Sequence, residues 1–219
     1  METRVKICCM ASVEEARTAV RMGARAVGLV SRMPSGPGPI EEELIAAIVA
    51  TVPRGVETFL LTSETTADAI IAQQKRTGAS TLQLVDRVDD SAHRAIRVAL
   101  PGIKIVQVIH VSGEESLDEA IAIAPDVDAL LLDSGNPSLP VKELGGTGRR
   151  HDWSISRRIV EASPVPVWLA GGLKASNVAE AIRGVRPFGV DVCSGVRTDG
   201  RLDLEKLNSF FEAIAAAAT

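Results

Sequence analysis

The chain has 219 residues, of which 46% are hydrophobic and 24% charged, a balance that suits a globular fold and excludes a disordered or fibrous one. Its formal net charge is -4, only 3% of its residues are aromatic and it has no tyrosine, so the basic face of a nucleic-acid or membrane binder and the stacking surfaces of a single-strand binder are both missing. No stretch reaches the roughly 20 apolar residues of a membrane span, and the N-terminus lacks the apolar core of a secretory signal, which makes a cytoplasmic protein the expectation.

Read for period, short runs rich in Val, Ile and Leu alternate with longer stretches whose apolar residues recur at helical spacing. In chain order, strand Val5 to Cys9 is followed by helix Val13 to Met22, strand Ala26 to Val30 by helix Glu41 to Val49, and strand Glu57 to Leu61 by helix Thr65 to Lys75. Strand Thr81 to Leu84 precedes helix Ser91 to Val98, and strand Ile103 to Ile109 precedes helix Ser116 to Ile123. The last three units are Ala129 to Asp133 with Trp153 to Val160, Val167 to Ala170 with Ala175 to Ile182, and Gly189 to Val192 with Leu204 to Ala217. Ser12 and Asp152 stand where a side-chain oxygen can cap the helix that follows.

Strands apolar on both faces and separated by helices belong to a parallel sheet covered on both sides. Eight such units predict one (β/α)8 TIM barrel over residues 1–219, compact for its class, with an open doubly wound sheet as the alternative. The Pro/Gly-rich "MPSGPGPI" is no longer than a strand-to-helix loop, so no domain boundary is expected there.

A barrel gathers its chemistry at the C-terminal ends of its strands. There the sequence places "GGTG" (145–148), "AGG" (170–172) and "SG" (194–195) after strands six, seven and eight, glycines whose amides can approach an anion closely. Together they predict a phosphate site.

Of the three cysteines, Cys8 and Cys9 are adjacent and Cys193 is remote, with no metal-ligand spacing, and His93, His110 and His151 are scattered. Neither a disulfide framework nor a metal site is expected. Strand alternation puts Lys6 and Cys8 on one face and Val5, Ile7 and Cys9 on the other. The apolar set belongs against the helices. Lys6 and Cys8 should then face the barrel interior, with Cys9 a small packed residue turned outward. Cys8 as thiolate is a candidate base and Asp133, ending strand six across the rim, a candidate acid for an isomerisation by proton transfer.

"KICCMASVEEARTAVRMGARAVGLV" resembles the opening of the phosphoribosylanthranilate isomerase family, whose first strand carries K-I-C-G. "LLDS", "GGTGRRHDW", "LAGGLKASNVAEAI" and "GVDVCSGVR" resemble that family's last three strand regions, and the likeness covers essentially the whole chain. The resemblance implies Cys8 as general base, Asp133 as general acid, phosphate held at Gly146, Gly148, Gly171, Gly172, Ser194 and Gly195 of the glycine loops, and no cofactor. It also implies a place in tryptophan biosynthesis, a small phosphoribosyl amine as substrate, and no nucleic-acid or membrane partner; a monomer and a homodimer are equally compatible. The reaction would be the Amadori rearrangement of N-(5-phosphoribosyl)anthranilate.

The likeness weakens where the amine should bind. The family's P-K-S-P-R loop, whose arginine binds the anthranilate carboxylate, is "RMPSGPGPI" here, with Pro37 at the arginine's place. "QLVD" replaces Q-L-H-G. Arg32, Asp86 and His110 are therefore the candidates for the amine side. A paralogous isomerase of another phosphoribosyl amine and a non-catalytic phosphosugar-binding barrel are the alternatives.

Overall fold

Eight parallel strands pair in sequence order, and the last closes on the first. They are β1 (Arg4–Ile7), β2 (Ala26–Val30), β3 (Glu57–Thr62), β4 (Thr81–Leu84), β5 (Lys104–His110), β6 (Ala129–Asp133), β7 (Val167–Leu169) and β8 (Gly189–Val192). Helices follow each in turn: α1 (Val13–Arg21), α2 (Glu42–Val49), α3 (Ala67–Thr77), α4 (Ala92–Ala99), α5 (Glu115–Ile123), α6 (Trp153–Ala162), α7 (Val178–Val185) and α8 (Leu204–Ala217). This computed structural model describes residues 3–89, 91–146 and 148–217. The (β/α)8 architecture read from the periodicity is the one found, and the open sheet is excluded by the β1–β8 pairing, in which Lys6 lies opposite Asp191 and Ile7 opposite Val192.

Alternation along each strand divides the core in two. Val5, Ile7, Val27, Leu29, Leu60, Leu82, Leu130 and Val190 point outward and pack with the helices. Ala26, Val30, Phe59, Leu61, Val106, Val108, Leu131 and Trp168 fill the barrel. Phe59 meets Trp168 edge-on at 5.8 Å, and Trp168 meets Phe188 at 5.4 Å, geometries that suit the ring quadrupoles. A methyl on Gly189 would sit 2.5 Å from the Trp168 ring, so this inward position needs glycine to let the indole in.

Local chemistry explains the edges. Ser12 Oγ accepts from the amide of Glu15 at 3.1 Å and Asp152 Oδ1 from that of Ser154 at 2.8 Å, the two caps expected from sequence. Helix α7 starts three residues later than its periodicity suggests, because Asn177 closes a turn first: its Oδ1 accepts from Lys174 N at 2.9 Å and its Nδ2 donates to Gly172 O at 3.0 Å. A small hairpin of β9 (Arg197–Thr198) and β10 (Arg201–Leu202) precedes α8. Its turn residues Asp199 and Gly200 both have positive φ, 49° and 77°, an Asp-Gly signal that the sequence reading passed over.

Candidate active site

At the C-terminal rim a cavity of about 700 Å³, its open mouth included, is lined by both Cys8 and Asp133. The residues that bring chemistry to it come from opposite sides of the barrel, β1 and β8 on one and β6 on the other.

Lys6 is fully buried and its Nζ donates to Asp191 Oδ2 at 2.7 Å. Burial alone would lower the pKa of this ammonium, but the carboxylate of Asp191 and the neighbouring thiols reverse the shift and hold it firmly protonated. Burial pulls the Asp191 carboxyl the other way, upward. We take the pair as ionic, because an ammonium this deep has no water to turn to and the contact is short. The ammonium also lies 5.1 Å from the centre of the Phe59 ring. Asp191 Oδ1 is buried without a hydrogen-bond partner, and Asp191 lines the cavity. The sequence reading missed this residue. Its signal was a carboxylate at an inward position of the apolar run "GVDV".

Cys8 faces inward above Lys6, as alternation requires. A hydrogen bond from the Cys9 thiol does most to lower its pKa, with the Lys6 charge assisting and burial opposing. Gly28 on β2 makes room for the pair: a methyl there would lie 2.7 Å from Cys8 Sγ and 3.1 Å from Lys6 Nζ.

Cys9 does not face the helices, which corrects the expectation from alternation. Strand β1 ends at Ile7, and Cys9 has φ 62°, the left-handed region that a side chain enters at a cost of about 1–2 kcal/mol. That turn of the backbone swings its side chain into the cavity, where its sulfur lies 2.6 Å from Cys193 Sγ. The Cys9 carbonyl accepts a short hydrogen bond from Arg197, whose guanidinium is fixed in turn by Glu15 at 2.7 Å.

Asp133, at the end of β6, is open to solvent only in part, and the protein packed around it pushes its carboxyl above the ordinary range. Its Oδ1 accepts from Ser134 N at 2.7 Å, and Oδ2 lies where a methyl on Gly145 would be, 2.6 Å away. A thiol eased toward thiolate and a carboxyl eased toward its acid form thus share one cavity.

The three glycine loops also meet there. Gly146, Gly148, Gly171 and Gly172 have φ of 66°, 69°, 83° and 63°, conformations that glycine enters freely. Gly172 is so close to the preceding loop that a methyl would be 2.8 Å from Gly148 O, and a methyl on Gly148 would be 3.6 Å from Ser194 Oγ. All four, with Ser194, line the cavity, whereas Gly195 sits behind the rim, pressed against the carbonyl of Leu173. Thr147, between two of these glycines, lies outside the described residues.

None of the amine-side candidates lines the cavity, although His110 pairs with Asp133 across β5 and β6. Arg32 is exposed and does not line the cavity. Asp86 is tied to Lys142 by a short ion pair and accepts from Arg87 N at 2.9 Å. His110 donates from Nε2 to the carbonyl of Val85, 2.9 Å away. What the cavity does present beyond the rim is an apolar wall of Val30, Met33, Leu61, Val85 and Leu144, with Gln83, whose Oε1 is buried without a partner. Pro37, in the family arginine's place, packs on Gly146. Among the described residues no group of histidines, cysteines and carboxylates is arranged to hold a metal, and no helix is long and apolar enough to cross a membrane.

The family model described as N-(5'-phosphoribosyl)anthranilate (PRA) isomerase matches residues 5–213. An N-(5'-phosphoribosyl)anthranilate isomerase of Methanosarcina acetivorans is 33% identical, the match covering 98% of this chain and 94% of that one. Among solved structures, the phosphoribosyl anthranilate isomerase of Thermotoga maritima superposes with a TM-score of 0.83 at 28% identity, covering 98% of this chain and 99% of the other. A phosphoribosyl anthranilate isomerase in complex with reduced 1-(o-carboxyphenylamino)-1-deoxyribulose 5-phosphate gives 0.81 at 26% identity with the same coverage. A family match over nearly the whole barrel, on a chain whose rim carries the K-I-C cysteine, the strand-six aspartate and the glycine loops, leaves one conclusion: the protein belongs to the N-(5'-phosphoribosyl)anthranilate isomerase family.

Proposed function

We propose that this enzyme isomerises an N-(5'-phosphoribosyl) aromatic amine, anthranilate being the first choice, with Cys8 as general base and Asp133 as general acid. The observation that carries the reading is the shared cavity, in which burial raises the carboxyl while the Cys9 hydrogen bond and Lys6 lower the thiol. Asp133 protonates the ribose ring oxygen, and the ring opens to a Schiff base. The Cys8 thiolate then takes the C2 proton, and the enolamine tautomerises to the 1-amino-1-deoxyribulose 5-phosphate. Each residue ends in the protonation state in which the other began, so a proton must pass back through the product or solvent before the next turnover.

The phosphate is assigned to the amides around Gly146, Gly148, Gly171 and Gly172 and to Ser194. The unpartnered Oδ1 of Asp191 and Oε1 of Gln83 are acceptors for ribose hydroxyls, because a buried acceptor left unpaired costs about 1–3 kcal/mol that a bound hydroxyl recovers. The apolar wall from Val30 to Leu144 suits an aromatic ring. Purified protein should abolish the fluorescence of phosphoribosylanthranilate as the product forms.

A specific observation favours a second reading of the amine: among the described residues lining the cavity none is a lysine or arginine. An N-phosphoribosyl arylamine without a carboxylate would then match or exceed the anthranilate compound in kcat/KM. A preference of about tenfold or more for the anthranilate compound would restore the first choice.

A further inference from the structure

Two thiols of the rim form and break no bond in the chemistry above. Cys9, after β1, and Cys193, after β8, sit at the ends of adjacent hydrogen-bonded strands, with the amide of Cys8 bonded to Val192 O at 2.8 Å. Both are free, both line the cavity, and their sulfurs are 2.6 Å apart. Cys9 is buried, whereas Cys193 is partly exposed. The resemblance that assigns glycine to the position of Cys9 makes the strained left-handed cysteine there harder to explain as filler, since glycine would hold the same φ of 62° at no steric cost.

We propose that Cys9 and Cys193 are a redox-modification site, which hydrogen peroxide converts to an intramolecular disulfide that shuts the active site. The Cys193 sulfur, reachable from the cavity, attacks the peroxide O–O bond and becomes a sulfenic acid, releasing one water. The Cys9 thiol loses its proton and attacks that sulfenyl sulfur, releasing the second water as the S–S bond forms. Two thiols give up two electrons and two protons, and the peroxide becomes two waters. The two sulfurs are already 2.6 Å apart, close to the length of the bond that would join them.

The bond would act on the neighbouring chemistry in two ways. A disulfide has no S–H, so Cys8 would lose the Cys9 hydrogen bond that eases it toward thiolate. It would also clamp Cys193, which caps the short turn Ser194–Val196 that carries the proposed phosphate ligand Ser194. This second half rests on the roles assigned above to Cys8 and Ser194, while formation of the bond does not.

The test treats the reduced full-length enzyme with a small excess of hydrogen peroxide. Tandem mass spectrometry of the digest locates any linkage, and turnover of phosphoribosylanthranilate is followed before and after dithiothreitol. The expected result is a Cys9–Cys193 peptide, lighter by two hydrogens than its parts, with a loss of turnover of about tenfold or more that dithiothreitol restores. Cys193→Ser and Cys9→Gly, the latter suited to its φ, should lack both the linkage and the reversible component of the loss. The proposal fails if peroxide oxidises Cys8 while Cys9 and Cys193 stay reduced. It fails equally if Cys193→Ser shows the same reversible loss, or if the bond forms and turnover is unchanged. Because the linkage is read by mass, a reduced enzyme with no isomerase activity would overturn the substrate reading and still leave the disulfide decided.

Discussion

Lys6 Nζ and Asp191 Oδ2 face each other across the β1–β8 seam at 2.7 Å, beneath Cys8, with 0% and 7% of their side chains accessible. A charge pair this deep is weak evidence for net stabilisation, but removing one partner strands the other. Asp191→Ala should therefore destabilise the barrel by about 3–5 kcal/mol, lowering Tm by roughly 6–20 °C for a domain of this size. Adding Lys6→Met should recover part of the loss. Calorimetry checks both, and a single variant as stable as wild type would show that the ammonium is not held as an ion there.

Gly28 is the spacer of the catalytic strand, since a methyl at its Cα would stand 2.7 Å from Cys8 Sγ and 3.1 Å from Cys8 Cα. Backbone cannot give way as a flexible side chain can. Gly28→Ala should fold yet lose about 10²-fold in kcat, the scale expected when a reacting group is displaced by about 1 Å. Steady-state kinetics with a circular-dichroism control measures it.

The raised carboxyl of Asp133 has a consequence for stability. Its folded pKa lies above the unfolded one, so its favourable contribution is present below the unfolded value, near ~4, and is lost as pH rises through the folded value. At neutral pH the ionised group is a burden on the fold. Asp133→Asn, which keeps the acceptor for Ser134 N, should be more resistant to urea than wild type at pH 7, and the gap should close on acidification toward pH ~4. A gap of the opposite sign, or one independent of pH, would mean that the carboxyl is not desolvated.

Gly172 has φ 63° and a carbonyl 2.8 Å from where a methyl would go, whereas Gly55 has φ 96° with nothing within 4 Å. Both should lose stability on substitution by alanine, by about 1–2 kcal/mol from the backbone alone. Only Gly172→Ala should also raise KM, by about tenfold, because its loop presents amides to the phosphate. Equal KM values in the two variants would remove that loop from the phosphate site.

The barrel was legible because its signal is repeated: eight apolar runs of strand length, each followed by a helical period, admit few other folds. Cys8, Asp133 and the glycine loops could be placed from strand ends alone, since barrel geometry brings all strand ends to one rim. Cys9 was misplaced because alternation holds only while the backbone stays extended, and nothing local announces a non-glycine residue at φ 62°. Asp191 was passed over because it stands inside an apolar run, where only the partner Lys6, 185 positions away, explains a buried carboxylate. Arg32 and Asp86 depended on long loops whose course is set by contacts such as Ser35 Oγ to Lys142 O at 2.6 Å, between segments far apart in sequence.

The central claim, that one thiol and one carboxyl move the proton, is tested most directly by single-turnover loss of phosphoribosylanthranilate fluorescence in wild type, Cys8→Ala and Asp133→Asn. Each variant should fold, retain binding of the phosphoribosyl ligand and lose about 10²–10⁴-fold in rate, the range that a positioned acid or base supplies. Turnover by Cys8→Ala at the wild-type rate would contradict the account, whichever amine the enzyme prefers.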